Sequence, residues 1–203
     1  MSGGNSSRRD MLGAAFAVEG GLVGLALVLG WLVGEPPLAQ IRLTAAGCLW
    51  GLAAVVPLLV MLVLVDRYPL GPLKSFGEMV HRYLVPLFRG CTLRDLLAIS
   101  GLAGLGEEML FRGVVQGGLT TWWHHPWPAI VAAGVLFGLA HMITPTYAVL
   151  AGAIGIYLGW LYVATGNLLA PIVAHAAYDF AALVYLVRLT PVDSDAPAGE
   201  WSI

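Results

Sequence analysis

The chain has 203 residues, of which 59% are hydrophobic and only 11% are charged, and its formal net charge is −2. Soluble domains carry about 25% charged residues, so this composition excludes an ordinary water-soluble protein and favours one that lies in a lipid bilayer. The sequence has no basic stripe of the kind that binds nucleic acid, so we expect no nucleic-acid partner. The two cysteines, Cys48 and Cys91, have neither disulfide-type nor metal-type spacing.

Apolar runs recur along the chain and predict an all-α, polytopic integral membrane protein with about six transmembrane helices. A polar connector, 66–89, separates the first two runs from the rest. Its three prolines argue against one long helix, although 76–84 is predicted to form an amphipathic surface helix. The predicted spans are 11–34, 41–65, 92–119, 128–142, 146–164 and 168–189.

These runs divide the chain into four parts. We expect a loose N-terminal tail at 1–10, two membrane spans and the connector at 11–90, a membrane core at 91–190, and a loose C-terminal tail at 191–203. Thr92 is predicted to cap the third helix, with Asp95 in its first turn. The lysines and arginines in the loops and at the ends of the spans fall on one side of a six-span arrangement, and Arg42 is the exception. The positive-inside rule therefore predicts that both termini are cytoplasmic.

The third predicted span carries a concentration of charge. Glu107, Glu108 and Arg112 are the only charged residues between Leu96 and Leu119. Translocon scales place the cost of such residues at roughly 2.5–3.5 kcal/mol each at a helix centre. Glu108 and Arg112 are four residues apart, so they share a helix face and can pair. That pairing leaves Glu107 free for chemistry, although the reverse assignment is also possible.

Two later spans carry matching polar groups. His141 lies four residues after Phe137, and His175 lies four residues before Asp179, so each pair shares a helix face. No apolar neighbour can satisfy these groups, and mutual contact in an intramembrane polar cavity is the least costly arrangement. Outside these motifs, Glu19 is interpreted as structural. Phe137 and three tyrosines are assigned mainly to packing: Tyr147, Tyr157 and Tyr178.

This set of groups suits peptide hydrolysis without a serine or cysteine nucleophile. One carboxylate can act as a base for water, His141 can share that task, and His175, held by Asp179, can donate to an oxyanion. A zinc ion on Glu108, His141, His175 and Asp179 is an alternative, since bound zinc lowers the pKa of water. Two further alternatives are a proton- or ion-coupled transporter that uses the same groups as a relay, and a non-catalytic scaffold.

The three motifs resemble those of the CPBP family of intramembrane proteases, which includes Rce1-type CAAX prenyl endopeptidases and bacterial Abi proteins. The motifs that carry the resemblance are Glu107-Glu108-x-x-x-Arg112, Phe137-x-x-x-His141 and His175-x-x-x-Asp179, and the resemblance spans about 93–187. It implies an all-helical fold with a cavity open to the cytoplasm. It further implies a metal-independent glutamate mechanism, so no cofactor is expected, with zinc as the alternative.

The resemblance also implies roles for single residues. Glu107 and His141 would activate water, Glu108 and Arg112 would orient that pair, and the groups at 175 and 179 would form the oxyanion hole. The family often has asparagine where this chain has Asp179, and we expect Asp179 to orient His175. The expected partners are the bilayer and a membrane-anchored or hydrophobic peptide substrate. The compact chain favours a bacterial inner membrane and a substrate other than prenylated CAAX proteins.

Overall fold

The computed structural model describes residues 3–189, and within that range it contains helices and turns but no strand. Three π-helical segments interrupt or extend the α-helices: Val80–Leu84, Met109–Gln116 and Tyr185–Leu189. The α-helices are α1 (Gly3–Val33), α2 (Pro37–Gln40), α3 (Ala45–Arg67), α4 (Pro72–Met79), α5 (Val85–Phe88), α6 (Leu93–Glu108), α7 (Gly117–Trp123), α8 (Pro126–Ala140), α9 (Pro145–Thr165) and α10 (Leu169–Val184).

Within the described part of the chain, four helices are long and apolar enough to cross a bilayer, which confirms an all-α polytopic membrane protein. They lie at Arg8–Val33, Ala45–Arg67, Pro145–Thr165 and Leu169–Arg188, and α8 is a shorter apolar helix. The third predicted span is helical from Leu93 to Trp123 through the π segment Met109–Gln116. Its three charges set it apart from the four apolar helices, and the count of six spans stays a prediction.

The N-terminal tail and the connector differ from the expectation. Residues 3–10 are the first turns of α1 rather than a loose tail, while the predicted C-terminal tail at 191–203 lies outside the described residues. The connector is helical without a break from Pro72 to Phe88. Pro72 begins α4, where its missing N–H costs little. Pro86 lies within the continuous helix, directly after the π segment Val80–Leu84, where the regular α-helical hydrogen-bond pattern is already interrupted.

The start of α6 is fixed as the sequence predicts. The Thr92 side chain accepts from the Asp95 backbone N–H, and the Asp95 carboxylate accepts from the Thr92 N–H, which together make a capping box. Arg8 in α1 donates three hydrogen bonds to the Asp95 carboxylate, at 2.6, 2.8 and 2.9 Å. The N-terminal end of α1 is therefore tied to the polar end of α6.

Glycines bring the later helices into close contact. A Cβ at Gly134 of α8 would lie 2.9 Å from the Ile156 backbone nitrogen of α9, and one at Gly104 of α6 would lie 2.8 Å from the Ala176 nitrogen of α10. A tight turn joins α8 to α9, with Thr144 as the N-cap of α9, so the two helices are antiparallel neighbours. The glycines at these crossings allow the helix backbones to approach closely.

Candidate active site

The structure brings all six predicted site residues to one place. Glu107 and Glu108 end α6, Arg112 follows in the π segment, His141 is the C-terminal cap of α8, and His175 lies on α10, one turn before Asp179. Single π-helical stretches inside α-helices are frequent at functional sites, because they redirect side chains out of the regular helical register. Here that stretch contains Arg112.

Glu108 and Arg112 form a fully buried ion pair. Arg112 Nη1 donates to Glu108 Oε1 at 2.8 Å, and the side chains are 1% and 0% exposed. The second guanidinium nitrogen donates to the Gly155 carbonyl at 3.0 Å, and the guanidinium carbon lies 4.5 Å from the centroid of the Phe137 ring. Charge pairing, a hydrogen bond and a cation–π contact together satisfy a cation that apolar helices could not accommodate. The predicted pairing of these two residues is confirmed.

His175 is held between carboxylates. Its Nδ1 lies 2.8 Å from Glu108 Oε1, which is a hydrogen bond, while its Nε2 lies 3.4 Å from Asp179 Oδ2 and 3.9 Å from Glu107 Oε2. Because an ionised carboxylate only accepts, Nδ1 is the donor towards Glu108, and Nε2 faces Glu107 and Asp179. Glu108 therefore holds the ring more closely than Asp179, which the sequence singled out for that role.

Glu107 is the least restrained of the buried acids. Its Oε2 atom is shielded from solvent and has no hydrogen-bond partner among the described residues. Two imidazole nitrogens face that oxygen, His141 Nε2 at 3.6 Å and His175 Nε2 at 3.9 Å. Both distances are longer than a direct hydrogen bond. Glu107 thus has a free oxygen directed at two rings, whereas Glu108 is already committed to Arg112 and His175.

His141 is oriented by Phe137. The His141 Nδ1 atom lies 2.8 Å from the Phe137 carbonyl oxygen, and the two ring centroids are 4.4 Å apart. A carbonyl only accepts, so Nδ1 carries the hydrogen and the lone pair of a neutral ring is on Nε2, which faces Glu107. The Phe137 ring also contacts Phe111 and His175. Its predicted packing role is confirmed, and it packs against the chemical groups themselves.

Glu19, which the sequence indicates only as a structural residue, lies near the site. Glu19 on α1 has a buried Oε2 atom without a hydrogen-bond partner among the described residues, and it is close enough to Glu107, His175 and Asp179 to interact electrostatically. The backbone carbonyl of Glu19 lies 2.8 Å from where a Gly106 Cβ would be, so α1 packs directly beside the site. The available signal was one carboxylate alone in the long apolar run 11–34.

The predicted zinc ligands do not form a metal site. No group of three His, Cys, Asp or Glu side chains within 3–189 is arranged to hold a metal ion. Glu108 and both nitrogens of His175 are instead engaged with one another, with Arg112 and with Asp179.

A comparison with known proteins agrees with the motifs. Residues 88–181 match the family model of the type II CAAX prenyl endopeptidases described as Rce1-like. Searches of curated proteins and of solved structures find no significant match. The matched segment contains all six site residues and ends just after Asp179, while α1 to α4 precede it. Over residues 88–181 this membrane protein is therefore similar to the Rce1-like family of CAAX prenyl endopeptidases, and the resemblance that the three motifs predict is confirmed for that segment.

Proposed function

We propose that the protein is an intramembrane endopeptidase that hydrolyses a peptide bond in a membrane-anchored or hydrophobic peptide, with water activated by Glu107 and His141. The observation that carries this proposal is the pair of atoms Glu107 Oε2 and His141 Nε2, which face each other at 3.6 Å. A water molecule can hydrogen-bond to two groups at that separation, one an anionic oxygen and the other a nitrogen lone pair.

Glu107 is the better base of the two adjacent glutamates. Glu108 and Glu107 each have one Oε2 atom without a hydrogen-bond partner among the described residues, so the difference lies in charge. The negative charge of Glu108 balances the buried Arg112 cation and its Oε1 also binds His175, so protonating Glu108 would leave that cation uncompensated, whereas Glu107 pairs with no such cation. In the proposed step Glu107 takes a proton from water while the water oxygen forms a bond to the carbonyl carbon of the substrate. The carbonyl π electrons move to its oxygen, which becomes an oxyanion.

His175 is placed to stabilise that oxyanion. Its Nδ1 is anchored on Glu108, and its Nε2 faces the same space as Glu107 and Asp179. In our proposal Nε2–H donates to the oxyanion, and the bond to the amide nitrogen breaks when Glu107 returns its proton to that nitrogen. The products are a carboxylate and a new N-terminus. Arg112 and Glu108 take no part in bond changes but keep His175 oriented.

The substrate class and the side of cleavage are further parts of the proposal. The matched family is described as type II CAAX prenyl endopeptidases, so one candidate substrate is a lipid-modified peptide. The other candidate is an unmodified hydrophobic peptide. His141 and Asp179 are the more exposed members of the site, with side chains 23% and 32% exposed. We propose that substrate enters past these two residues from the cytoplasmic face of a bacterial inner membrane, with both termini on that side.

The purified protein in lipid vesicles provides the test. A panel of fluorogenic peptides with a farnesyl group, with a fatty acyl anchor or with an unmodified apolar segment is incubated with wild type, Glu107→Ala and His141→Ala. We expect wild type to cleave at least one peptide and both variants to lose that cleavage while folding normally. Proton or solute flux without cleavage would instead indicate a transporter, and neither activity would indicate a scaffold.

Metal dependence is tested separately on the same preparation. Elemental analysis of the purified protein is combined with cleavage assays before and after treatment with a chelator. The glutamate mechanism predicts substoichiometric zinc and unchanged cleavage. One zinc per chain, with activity that is lost on chelation and restored by zinc, would replace that mechanism by a metal-dependent one.

A further inference from the structure

The connector helix α4 reaches the site through a row of aromatic rings, although it lies outside the segment that matches the family. Phe76 of α4 stacks on Tyr147 of α9, with ring centroids 5.6 Å apart and an interplanar angle of 27°. Tyr147 in turn meets the His141 imidazole at 5.9 Å and 90°. Two ring contacts therefore join the connector to one of the two groups proposed to activate water.

His141 needs support of this kind because of its position in the chain. It is the C-terminal cap of α8, with φ −99° and ψ 18°, so its backbone has already left the helical conformation. One hydrogen bond, from Nδ1 to the Phe137 carbonyl, restrains the imidazole. The Phe137 ring contacts the imidazole at 4.4 Å, and Tyr147 meets it through a perpendicular, edge-type contact.

Tyr147 is itself held in place. Its backbone N–H donates to Thr144 Oγ1 at 3.1 Å, which fixes the first turn of α9. The Phe76 ring then stacks on the tyrosine ring. Tyr147 is thus anchored on both sides, by the helix cap and by the connector.

The connector packs against the rest of the protein through a hydrophobic cluster and a polar contact. Its residues Met79, Val80 and Val85 are buried in a hydrophobic cluster, against which Phe76, Leu84, Tyr147 and Leu186 pack. His81 Nε2 also lies 3.5 Å from Asp66 Oδ1, and Asp66 accepts a hydrogen bond from Tyr185 at 2.7 Å. A helix that is packed in this way can hold the Tyr147 ring in a defined position.

We propose that Phe76 and Tyr147 are positioning residues for His141, so that the connector helix outside the family segment forms part of the catalytic unit. The inference rests on the proposed role of His141 in activating water. Positioning within about 1 Å matters for such a group, because a misplacement of that size can cost about 100-fold in rate. In this proposal the aromatic rings of Phe76 and Tyr147 position the His141 imidazole, and the Tyr147 hydroxyl group is not needed.

The kinetic test separates positioning from substrate access. With a peptide that wild type cleaves, we expect Phe76→Leu and Tyr147→Leu to lower kcat about 10- to 100-fold with KM within about twofold. The conservative variants Phe76→Tyr and Tyr147→Phe keep the ring contacts and should retain most of kcat. Tyr83→Leu is the matched control, since Tyr83 is an aromatic of the same connector that is 57% exposed.

A spectroscopic readout keeps this test independent of proteolysis. In protein labelled with ¹⁵N-histidine and reconstituted in nanodiscs, the His141 ring signals are assigned with a His141→Gln variant. We expect one sharp pair of signals with Nδ1 protonated in wild type, and broadened or doubled signals in Phe76→Leu and Tyr147→Leu. Tyr83→Leu should match wild type. These results would support positioning even if no tested peptide were cleaved.

Three results would overturn the inference. An increased kcat/KM in Phe76→Leu would show that the ring blocks access rather than positions His141. An equal loss in Tyr147→Phe and Tyr147→Leu would assign the effect to the hydroxyl group. Unchanged His141 signals in both leucine variants would show that the imidazole does not depend on the two aromatic rings.

Discussion

Nδ1 of His175 hydrogen-bonds to Oε1 of Glu108 at 2.8 Å, and the same oxygen accepts from Arg112. One carboxylate oxygen therefore joins two helices and two donors in the interior of the protein. This relationship divides the work of the adjacent glutamates, because Glu108 is committed to structure and orientation. Glu107, whose Oε2 has no hydrogen-bond partner among the described residues, is left as the proposed base.

Asp179 is expected to be replaceable by asparagine. Glu108 anchors His175 through Nδ1, whereas Asp179 lies 3.4 Å from Nε2 and is about one-third exposed. An asparagine oxygen could still accept from Nε2, and its amide could donate to the oxyanion. We therefore expect Asp179→Asn to keep cleavage within about tenfold of wild type, and Glu108→Gln to lose about 100-fold as His175 shifts. Steady-state rates that rank the two variants the other way would assign orientation to Asp179.

Arg112 is expected to be essential for stability. Removing one partner of a buried ion pair leaves an uncompensated charge, which costs about 3–5 kcal/mol. Arg112→Met should lower the free energy of unfolding by that order, as measured by denaturant titration in mixed micelles. Arg82→Met makes the same change at an exposed position and should have little effect. Equal stabilities of the two variants would contradict a structural role for the Glu108–Arg112 pair.

Close packing of α6 on α10 is expected to depend on Gly104. An added Cβ would lie 2.8 Å from the Ala176 nitrogen and 3.0 Å from the Ile172 carbonyl oxygen, and backbone atoms cannot yield easily. We expect Gly104→Ala to destabilise the protein by about 1–3 kcal/mol and to reduce cleavage, since the same two helices carry Glu107 and His175. Gly101→Ala is the matched control, because nothing lies within 4 Å of its added Cβ. A Gly104→Ala protein as stable as this control would contradict close packing at that crossing.

The capping box of α6 predicts a pH dependence of stability. Hydrogen bonds from the Thr92 backbone and from Arg8 lower the pKa of Asp95, which lies outside the four apolar spanning helices. Because this pKa is lower in the folded state, ionised Asp95 stabilises the fold at pH values above its unfolded pKa of about 4. That stabilisation is lost as the pH falls through the folded pKa. Wild type should therefore be more stable than Asp95→Asn at pH 6, and the difference should shrink below about pH 4. A difference in melting temperature that stays constant from pH 6 to pH 3 would exclude this linkage.

Much of the site could be predicted from the sequence because its chemistry is local. Glu108 and Arg112 are four residues apart on one helix, so their pairing follows from helical geometry alone. The buried charges also had to meet one another, since apolar side chains offer them no partner. The cap at Thr92 could be predicted for the same reason, because it depends on a few adjacent residues.

The remainder could not be predicted because it depends on contacts between distant residues. Nothing local distinguishes Glu108 from Asp179 as the partner of His175, and the 2.8 Å bond arises only from the packing of α6 on α10. Arg8, near the start of α1, binds Asp95, which is 87 residues away, and no local pattern indicates that contact. The connector helix likewise packs against distant residues, since Met79, Val80 and Val85 share a hydrophobic cluster with Tyr147 and Leu186.

The most direct measurement is the rate of peptide cleavage by Glu107→Gln in lipid vesicles. This change keeps the size of the side chain but removes its ability to take a proton. General-base catalysis predicts a loss of about 10²- to 10⁴-fold in kcat/KM with the fold retained. The matched control is Glu78→Gln, the same change at an exposed carboxylate of α4, which should leave the rate unchanged. Cleavage by Glu107→Gln at the wild-type rate would contradict the central claim that Glu107 activates the attacking water.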